Sequence, residues 1–146
     1  MNTLVRSATL LLLVCLMAGH VLAAGGFMTT VGGVEYKDLK PGTGERAEVG
    51  DVATIQFAGW LEEKGGKGRE LYDTHTRGDT VSFVIGTDKV MQGWSDGVIG
   101  MKAGGKRLLM LPSALGYGSK GVEGVIPPDA SLLFVIDVMS IEKLPD

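Results

Sequence analysis

The chain has 146 residues, with 14 lysines and arginines against 17 aspartates and glutamates and a formal net charge of −3. This weakly acidic balance argues against a nucleic-acid-binding function, which calls for a basic face. The length fits one small domain. The sequence contains a single cysteine, so the fold is expected to form without a disulfide.

The N-terminal segment 1–23 is typical of a secretory signal peptide. Arg6 precedes an apolar run from Leu10 to Ala18, and Val21-Leu22-Ala23 matches a small-residue cleavage pattern. The run is shorter than the roughly 20 residues that a membrane-spanning helix needs. Cys15 lies inside the run, which argues against a lipidated cysteine. We therefore expect export, best matched by a bacterial periplasm, with no stable membrane association.

The first half of the remaining chain is patterned as strands. Val34 to Leu39 predicts a first strand. From Val52 to Leu61 the apolar residues occupy mostly odd positions, which predicts a strand with one buried face and Phe57 pointing inward. The glycine-rich and charged segment from Glu62 to Arg69 predicts a solvated hairpin loop. Val81 to Ile85 predicts another short strand.

A short helix is predicted next, because apolar residues then recur at helical spacing: Val90, Met91, Trp94, Val98 and Met101. Thr87 or Asp88 is expected to cap this helix. Several glycines fall within it, each costing about 1 kcal/mol relative to alanine, so tertiary packing must hold the helix.

The last two strands are predicted from Lys106 to Leu111 and from Leu132 to Glu142. Strands outnumber helices, and hairpins replace βαβ crossovers. The sequence therefore predicts an α+β domain in which an antiparallel sheet packs on one short helix. Residues 24–33 form an N-terminal extension, and residues 34–146 form the domain.

Five motifs stand out by their order and spacing: Phe57-Ala58-Gly59, Tyr72-Asp73-Thr74, Val90-Met91-Gln92-Gly93-Trp94, Gly116-Tyr117-Gly118, and Ile126-Pro127-Pro128 ahead of Leu132-Leu133-Phe134. Together they resemble the FKBP-type peptidyl-prolyl isomerases, the macrolide-binding immunophilins. The resemblance runs from about Val34 to Leu144. It implies a five- or six-stranded antiparallel β-sheet curled around one short α-helix.

The resemblance implies a conformational reaction, cis-trans isomerisation of X-Pro bonds. Rotation about this amide meets a barrier of roughly 18 to 20 kcal/mol. A pocket that favours the twisted amide lowers this barrier without a nucleophile, so neither a metal nor another cofactor is expected. The implied substrates are proline-containing, unfolded or partly folded exported proteins, and macrolides are the implied inhibitors. The segment 24–33 has no room for a helical dimerisation arm, so we expect a monomer.

The family's pocket maps onto this chain position by position. The implied catalytic residues are Asp73, Tyr117, Trp94 and Phe57. The implied substrate-binding residues are Tyr72, Arg77, Val81, Val90, Met91, Val125, Ile126 and Phe134. Trp94 would form the floor under the prolyl ring, and the Met91 N–H and Tyr117 hydroxyl would donate hydrogen bonds to ligand carbonyls. Asp73, oriented by Arg77, would face the rotating amide.

This chain departs from the family pattern near the expected site. Phe57 stands where many relatives have a tyrosine, so it offers Asp73 no hydroxyl, and Val81 replaces a frequent aromatic residue. The segment between Asp73 and Val81 is one residue shorter than the family pattern. His75 is expected to be a solvated loop histidine, because nothing nearby in the sequence supplies metal ligands. These departures keep an alternative open, a noncatalytic module or chaperone that binds proline-containing partners in the same groove.

Overall fold

The computed structural model describes residues 26–87 and 89–145. The predicted signal peptide, with Cys15, lies outside the described residues, as does Asp88. Within the described ranges, no helix is both long enough and apolar enough to cross a membrane.

In the part of the chain that the structure describes, one antiparallel sheet and one short α-helix make up the fold. The sheet has seven strands. Six of them lie in the order β1-β2-β6-β7-β3-β4, and the seventh, β5, pairs with β3. The strands are β1 (Met28–Thr29), β2 (Glu35–Lys40), β3 (Val52–Glu63), β4 (Gly66–Asp73), β5 (Val81–Val84), β6 (Lys106–Leu111) and β7 (Leu132–Glu142); the helix is α1 (Gln92–Val98), and a 3₁₀ turn spans Ser113–Leu115. The predicted α+β class is confirmed. Seven strands replace the expected five or six, with two-residue β1 lying in the predicted extension.

The central strand β3 sets which side chains reach the interior. Phe57 pairs with Ile136 and Gly59 with Phe134 on β7, while the intervening Ala58 pairs with Val135. Cross-strand partners share one face of a sheet, and successive residues alternate between faces. We call the face with Phe57, Phe134 and Ile136 the inner face, and the face with Val135 and Asp137 the outer face. Phe57 is 9% exposed, which confirms its inward direction.

The hairpin between β3 and β4 is much tighter than the predicted loop from Glu62 to Arg69. Glu63 pairs with Gly66, so only Lys64 and Gly65 form the turn. Both have positive φ, 52° and 80°, as a type I′ turn requires. The loop prediction was wrong in extent, because the charged side chains lie along an exposed strand rather than in a coil.

The helix α1 packs on the inner face against β6. A Cβ at Gly93 would overlap the side chain of Leu111, and a Cβ at Gly97 would overlap that of Leu109. These glycines weaken the helix by propensity but allow the close approach that holds it. The capping role expected of Thr87 was wrong, because the helix begins at Gln92 and the Thr87 hydroxyl donates to the Val84 carbonyl at 2.8 Å.

A buried arginine on β6 holds the C-terminal end of α1. Arg107 is 6% exposed. Its Nη1 donates to the carbonyl oxygens of Gly97 and Ile99, each at 3.0 Å, and its Nε donates to Asp38 Oδ1 at 2.6 Å. The last carbonyls of a helix have no partner within the helix, so the sheet supplies the donor that the helix lacks.

Candidate functional site

An apolar cavity of about 320 Å³ opens on the inner face, between β3, β4, β7, the start of α1 and the loop before β7. Its size falls at the lower end of the range for small-ligand pockets. The lining residues are Phe57, Gly59, Leu71, Tyr72, Met91, Trp94, Tyr117, Val122, Val125, Ile126 and Phe134. Nearly all of these side chains are apolar or aromatic, so the cavity suits a ring-shaped apolar group.

Three aromatic rings fix the floor of this cavity. Phe57 meets Trp94 edge-on with ring centroids 4.6 Å apart, and Phe134 meets Trp94 at 5.4 Å with an interplanar angle of 86°. Such edge-to-face pairs contribute about 0.5 to 1.5 kcal/mol beyond their buried area. Trp94 Nε1 is buried and has no hydrogen-bond partner among the described residues, so ring packing rather than a polar bond sets its orientation.

Most of the residues expected at the site come together in this cavity. Eight of them line it: Phe57, Tyr72, Met91, Trp94, Tyr117, Val125, Ile126 and Phe134. Leu71 was missed because the segment that contains it was not predicted to be a strand. Gly59 was named only as part of a motif, yet a Cβ there would lie 2.7 Å from the Phe134 ring. A glycine at that position therefore leaves the space that Phe134 occupies.

Val81 and Val90 do not line the cavity. Val81 lies on β5, where it pairs with Ile55, and both valines pack against the hydrophobic core as partly buried side chains. Their side chains support the core behind the cavity instead of forming its walls.

Asp73 also lies outside the lining of the cavity. It pairs across the sheet with Ala58, an outer-face position, whereas its neighbour Tyr72 lines the cavity. Asp73 Oδ1 accepts hydrogen bonds from the backbone N–H and the ring of His75, both at 2.8 Å. These bonds from His75 hold the pKa of the Asp73 carboxyl below its usual value. The residue that orients Asp73 is therefore His75, not Arg77 as expected.

Arg77 instead supports an aromatic wall. Its guanidinium lies 4.8 Å from the Tyr72 ring centroid, and its Nη1 donates to the Tyr72 hydroxyl at 3.4 Å. Tyr72 in turn stacks on Phe57 with centroids 5.7 Å apart. Cation–π contacts of this exposed kind contribute about 0.5 to 1 kcal/mol, so Arg77 acts on the cavity through Tyr72.

Thr74 joins the end of β4 to the middle of β3. It is 1% exposed, and its hydroxyl accepts a hydrogen bond from the Phe57 N–H at 2.8 Å. The Thr74 N–H donates to the Phe57 carbonyl at 2.9 Å. Apart from the presence of Thr74 in a motif, no local sequence pattern indicates this role, because the partner of Thr74 lies on another strand.

The loop between the 3₁₀ turn and β7 forms the mouth of the cavity. Val122 and Ile126 form a short antiparallel bridge, and the Asp129 N–H donates to the Gly118 carbonyl at 3.0 Å. The Arg69 guanidinium on β4 donates to the Val125 carbonyl. Tyr117 is 43% exposed at this mouth, where its hydroxyl can meet a ligand.

Comparison with known proteins identifies the family of this chain. The sequence model described as FKBP-type peptidyl-prolyl cis-trans isomerase matches residues 43–139. The chain belongs to this family. As an FKBP-type protein it falls in the enzyme class of the peptidyl-prolyl cis-trans isomerases.

Relatives that align with most of this FKBP-type chain are named as FK506-binding proteins or peptidyl-prolyl cis-trans isomerases. It is 38% identical over 111 residues to the FK506-binding protein of Neisseria meningitidis serogroup B, covering 76% of this chain and 98% of that protein. It is 35% identical over 127 residues to the peptidyl-prolyl cis-trans isomerase FPR2 of Saccharomyces cerevisiae, covering 80% of this chain and 91% of that protein.

The fold of the FKBP-type chain also matches solved structures. FkpA from Escherichia coli superposes with a TM-score of 0.69 at 33% identity, covering 83% of this chain and 54% of that longer protein. A peptidyl-prolyl cis-trans isomerase from Pseudomonas syringae pv. tomato superposes with a TM-score of 0.71 at 25% identity, covering 83% of this chain and 84% of that one. The curled sheet around one short helix is thus the family fold.

Proposed function

We propose that this protein is an exported peptidyl-prolyl cis-trans isomerase that binds the prolyl ring of its substrate over Trp94. The observation that carries the proposal is the packing of Phe57 and Phe134 edge-on against Trp94 at the floor of an apolar cavity. A flat aromatic surface with fixed neighbours suits a saturated five-membered ring, which offers apolar area and no hydrogen-bond donor.

The chemistry requires only a preference for the twisted amide. Rotation demands loss of amide resonance, and hydrogen bonds from water to the imide carbonyl favour the planar form. Apolar walls remove that water, and each factor of ten in rate needs about 1.4 kcal/mol off the barrier. The proposal therefore assigns the rate enhancement to desolvation and positioning.

Two polar groups are proposed to hold the ligand. Met91 lines the cavity immediately before α1, where backbone N–H groups have no acceptors within the helix. The exposed Tyr117 hydroxyl at the mouth is the second donor. Asp73 points to the outer face through its pairing with Ala58, so the proposal gives it no contact with the substrate.

An assay of X-Pro isomerisation tests the catalytic part. The purified protein is expected to accelerate the cis-to-trans conversion of a short X-Pro peptide, and FK506, which names several relatives, is expected to inhibit it. Tyr117→Phe removes one hydrogen bond and is expected to lower kcat/KM by roughly threefold to tenfold, as one hydrogen bond of about 1 kcal/mol implies. A folded wild-type protein without any acceleration would contradict the catalytic proposal.

A noncatalytic binding module is the second candidate. Two features of the site favour it: Phe57 has no polar group to offer a ligand, and Asp73 points to the outer face. The cavity is then left with few groups that can act on the amide. Saturable binding of proline peptides, with no change in isomerisation rate, would select this candidate over the enzyme.

Export is proposed from the predicted signal peptide, residues 1–23, and the proposed substrates are proline-containing exported proteins. When the full-length gene product is expressed in a bacterium, the recovered protein is expected to begin near residue 24 and to fractionate with the periplasm. N-terminal sequencing of the recovered chain checks this. An intact N-terminus on a cytoplasmic product would contradict export while leaving the catalytic proposal untouched.

A further inference from the structure

His75 connects two carboxylates that lie far apart in the sequence. Its Nδ1 lies 2.8 Å from Asp73 Oδ1, and its Nε2 lies 2.8 Å from Asp137 Oδ2. Asp73 ends β4 and Asp137 lies on the outer face of β7. The His75 side chain is 38% exposed and both carboxylate side chains are 22% exposed. His75 is an exposed residue in the turn after β4, as expected, but it also bridges two strands.

The geometry of this bridge specifies its protonation. An ionised carboxylate can only accept hydrogen bonds, and neutral imidazole carries a proton on one ring nitrogen alone. Because both nitrogens of His75 face carboxylate oxygens, both bonds form only in the imidazolium. Loss of one proton turns one of the two contacts into a repulsion between lone pairs.

The charges around His75 favour the imidazolium. Asp73 faces it from β4 and Asp137 from β7, and Lys106 on β6 lies 3.5 Å from the second oxygen of Asp137. Its own loop also carries Arg77, whose guanidinium lies over Tyr72, and Asp79. The hydrogen bond to Asp73 raises the pKa of His75 above its usual value, partial burial opposes this, and Asp137 raises it further.

The loop that His75 anchors also carries Arg77, the residue that supports the cavity wall. The His75 N–H donates to Asp73 Oδ1 at 2.8 Å, and the N–H groups of Arg77 and Asp79 both donate to the Thr74 carbonyl, at 3.2 and 3.1 Å. The chain thus turns tightly between His75 and the Arg77 side chain. A shift of His75 would move Arg77 relative to Tyr72.

We propose that His75 is a positioning residue of the isomerase pocket: its imidazolium joins Asp73 to Asp137 and so fixes the loop that sets Arg77 on the Tyr72 wall. His75 touches no substrate. It acts through Arg77 and Tyr72 on the shape of the cavity. The catalytic readout of this proposal rests on the proposed function, whereas the bridge itself does not.

The bridge makes the pocket sensitive to pH in a defined direction. The folded-state pKa of His75 is raised above 6.5, so its contribution is complete below pH 6.5 and is lost as pH rises through the raised pKa. The folded-state pKa of Asp73 is lowered below 3.8, so its contribution is present above pH 3.8 and is lost as pH falls through the lowered pKa. The bridge is therefore intact at pH values between the lowered pKa of Asp73 and the raised pKa of His75, and it opens as the pH rises through the pKa of His75.

Titration of the purified protein by NMR tests the bridge without reference to activity. The sequence contains two histidines, His20 and His75, and His75→Gln assigns the signal. The His75 pKa is expected above 6.5, and Asp137→Asn is expected to lower it. Asp79→Asn, which removes a carboxylate from the same loop but not from the bridge, is the matched control and is expected to lower it less. An unchanged His75 pKa in Asp137→Asn would overturn the bridge.

The pH profile of kcat/KM tests the effect on the pocket. As pH rises through the His75 pKa, wild-type kcat/KM is expected to fall roughly twofold to fivefold, the range that an exposed ion pair allows. The His75→Gln profile is expected to be flat over this interval, and the Tyr72 ring signals are expected to shift with pH only when His75 is present. Identical profiles for wild type and His75→Gln, with pH-independent Tyr72 signals, would overturn the positioning role. A protein inactive at every pH would contradict the proposed enzyme, while the NMR titration would still decide the bridge.

Discussion

Replacing Arg107 with methionine is expected to destabilise the fold by about 3 kcal/mol. Arg107 is 6% exposed, and its Nη1 donates to two carbonyls at the end of α1, each at 3.0 Å. Hydrogen bonds from a charged group contribute about 1.5 to 3 kcal/mol each, and a buried acceptor left without a donor adds its desolvation penalty. Methionine keeps much of the apolar volume but supplies no donor.

The ion pair with Asp38 contributes much less to this expected loss. The Asp38 side chain is 45% exposed, so water replaces the guanidinium when the pair is broken, and exposed pairs contribute at most about 1 kcal/mol. Asp38→Asn is therefore the matched control and is expected to destabilise by less than about 1 kcal/mol. Urea unfolding followed by tryptophan fluorescence measures both variants.

Equal losses in the two variants would contradict this account, because they would place the stabilisation in the ion pair rather than in the helix carbonyls. A large loss in Arg107→Met alone would show that β6 holds the end of α1. This matters for the site, since α1 carries Trp94.

The regular strands were predictable from sequence because their apolar residues alternate. Lys106 to Leu111 and Leu132 to Glu142 were predicted with the bounds that β6 and β7 have. The strand β4 was not predictable in this way, since its charged and glycine residues lie at an exposed edge and bury no regular stripe. Its pairing depends on a turn with positive φ at Lys64, and lysine rarely adopts positive φ, so this residue does not predict such a turn.

The resemblance located the pocket residues along the chain but did not give the direction of every side chain. Tyr72 and Asp73 are adjacent, so on a strand they point to opposite faces, and only Tyr72 reaches the cavity. The segment after Asp73 places His75 against Asp73. The contacts of Arg107 with α1 and Asp38 join segments that are distant in the sequence, so no local sequence pattern predicts them.

Trp94→Leu is expected to lower kcat/KM by about tenfold to a hundredfold. Trp94 forms the floor of the cavity and is 7% exposed, and the rings of Phe57 and Phe134 pack edge-on against it. Burying the apolar surface of a prolyl ring on Trp94 contributes a free energy of about 1.5 to 3 kcal/mol, and each 1.4 kcal/mol is a factor of ten in rate. Leucine keeps an apolar side chain but presents no flat surface.

Loss of stability has to be separated from loss of the site, because Trp94 is also a core residue. Truncating a buried aromatic side chain costs about 3 kcal/mol or more when a cavity remains. Phe83→Leu is the matched control: Phe83 is 6% exposed, its ring centroid lies 6.1 Å from that of Trp94, and it is absent from the cavity lining. It is expected to lose comparable stability while the folded fraction keeps most of its kcat/KM.

The comparison of these two variants decides where isomerisation takes place. Isomerisation rates are measured at equal concentrations of folded protein, as fixed by unfolding curves under the same conditions. A Trp94→Leu protein with unchanged kcat/KM would exclude this cavity as the catalytic site, since the prolyl ring is proposed to lie on the Trp94 surface that this substitution removes. Equal losses in Trp94→Leu and Phe83→Leu would show that the effect comes from the core. A loss confined to Trp94→Leu would tie catalysis to the surface on which the prolyl ring is proposed to lie.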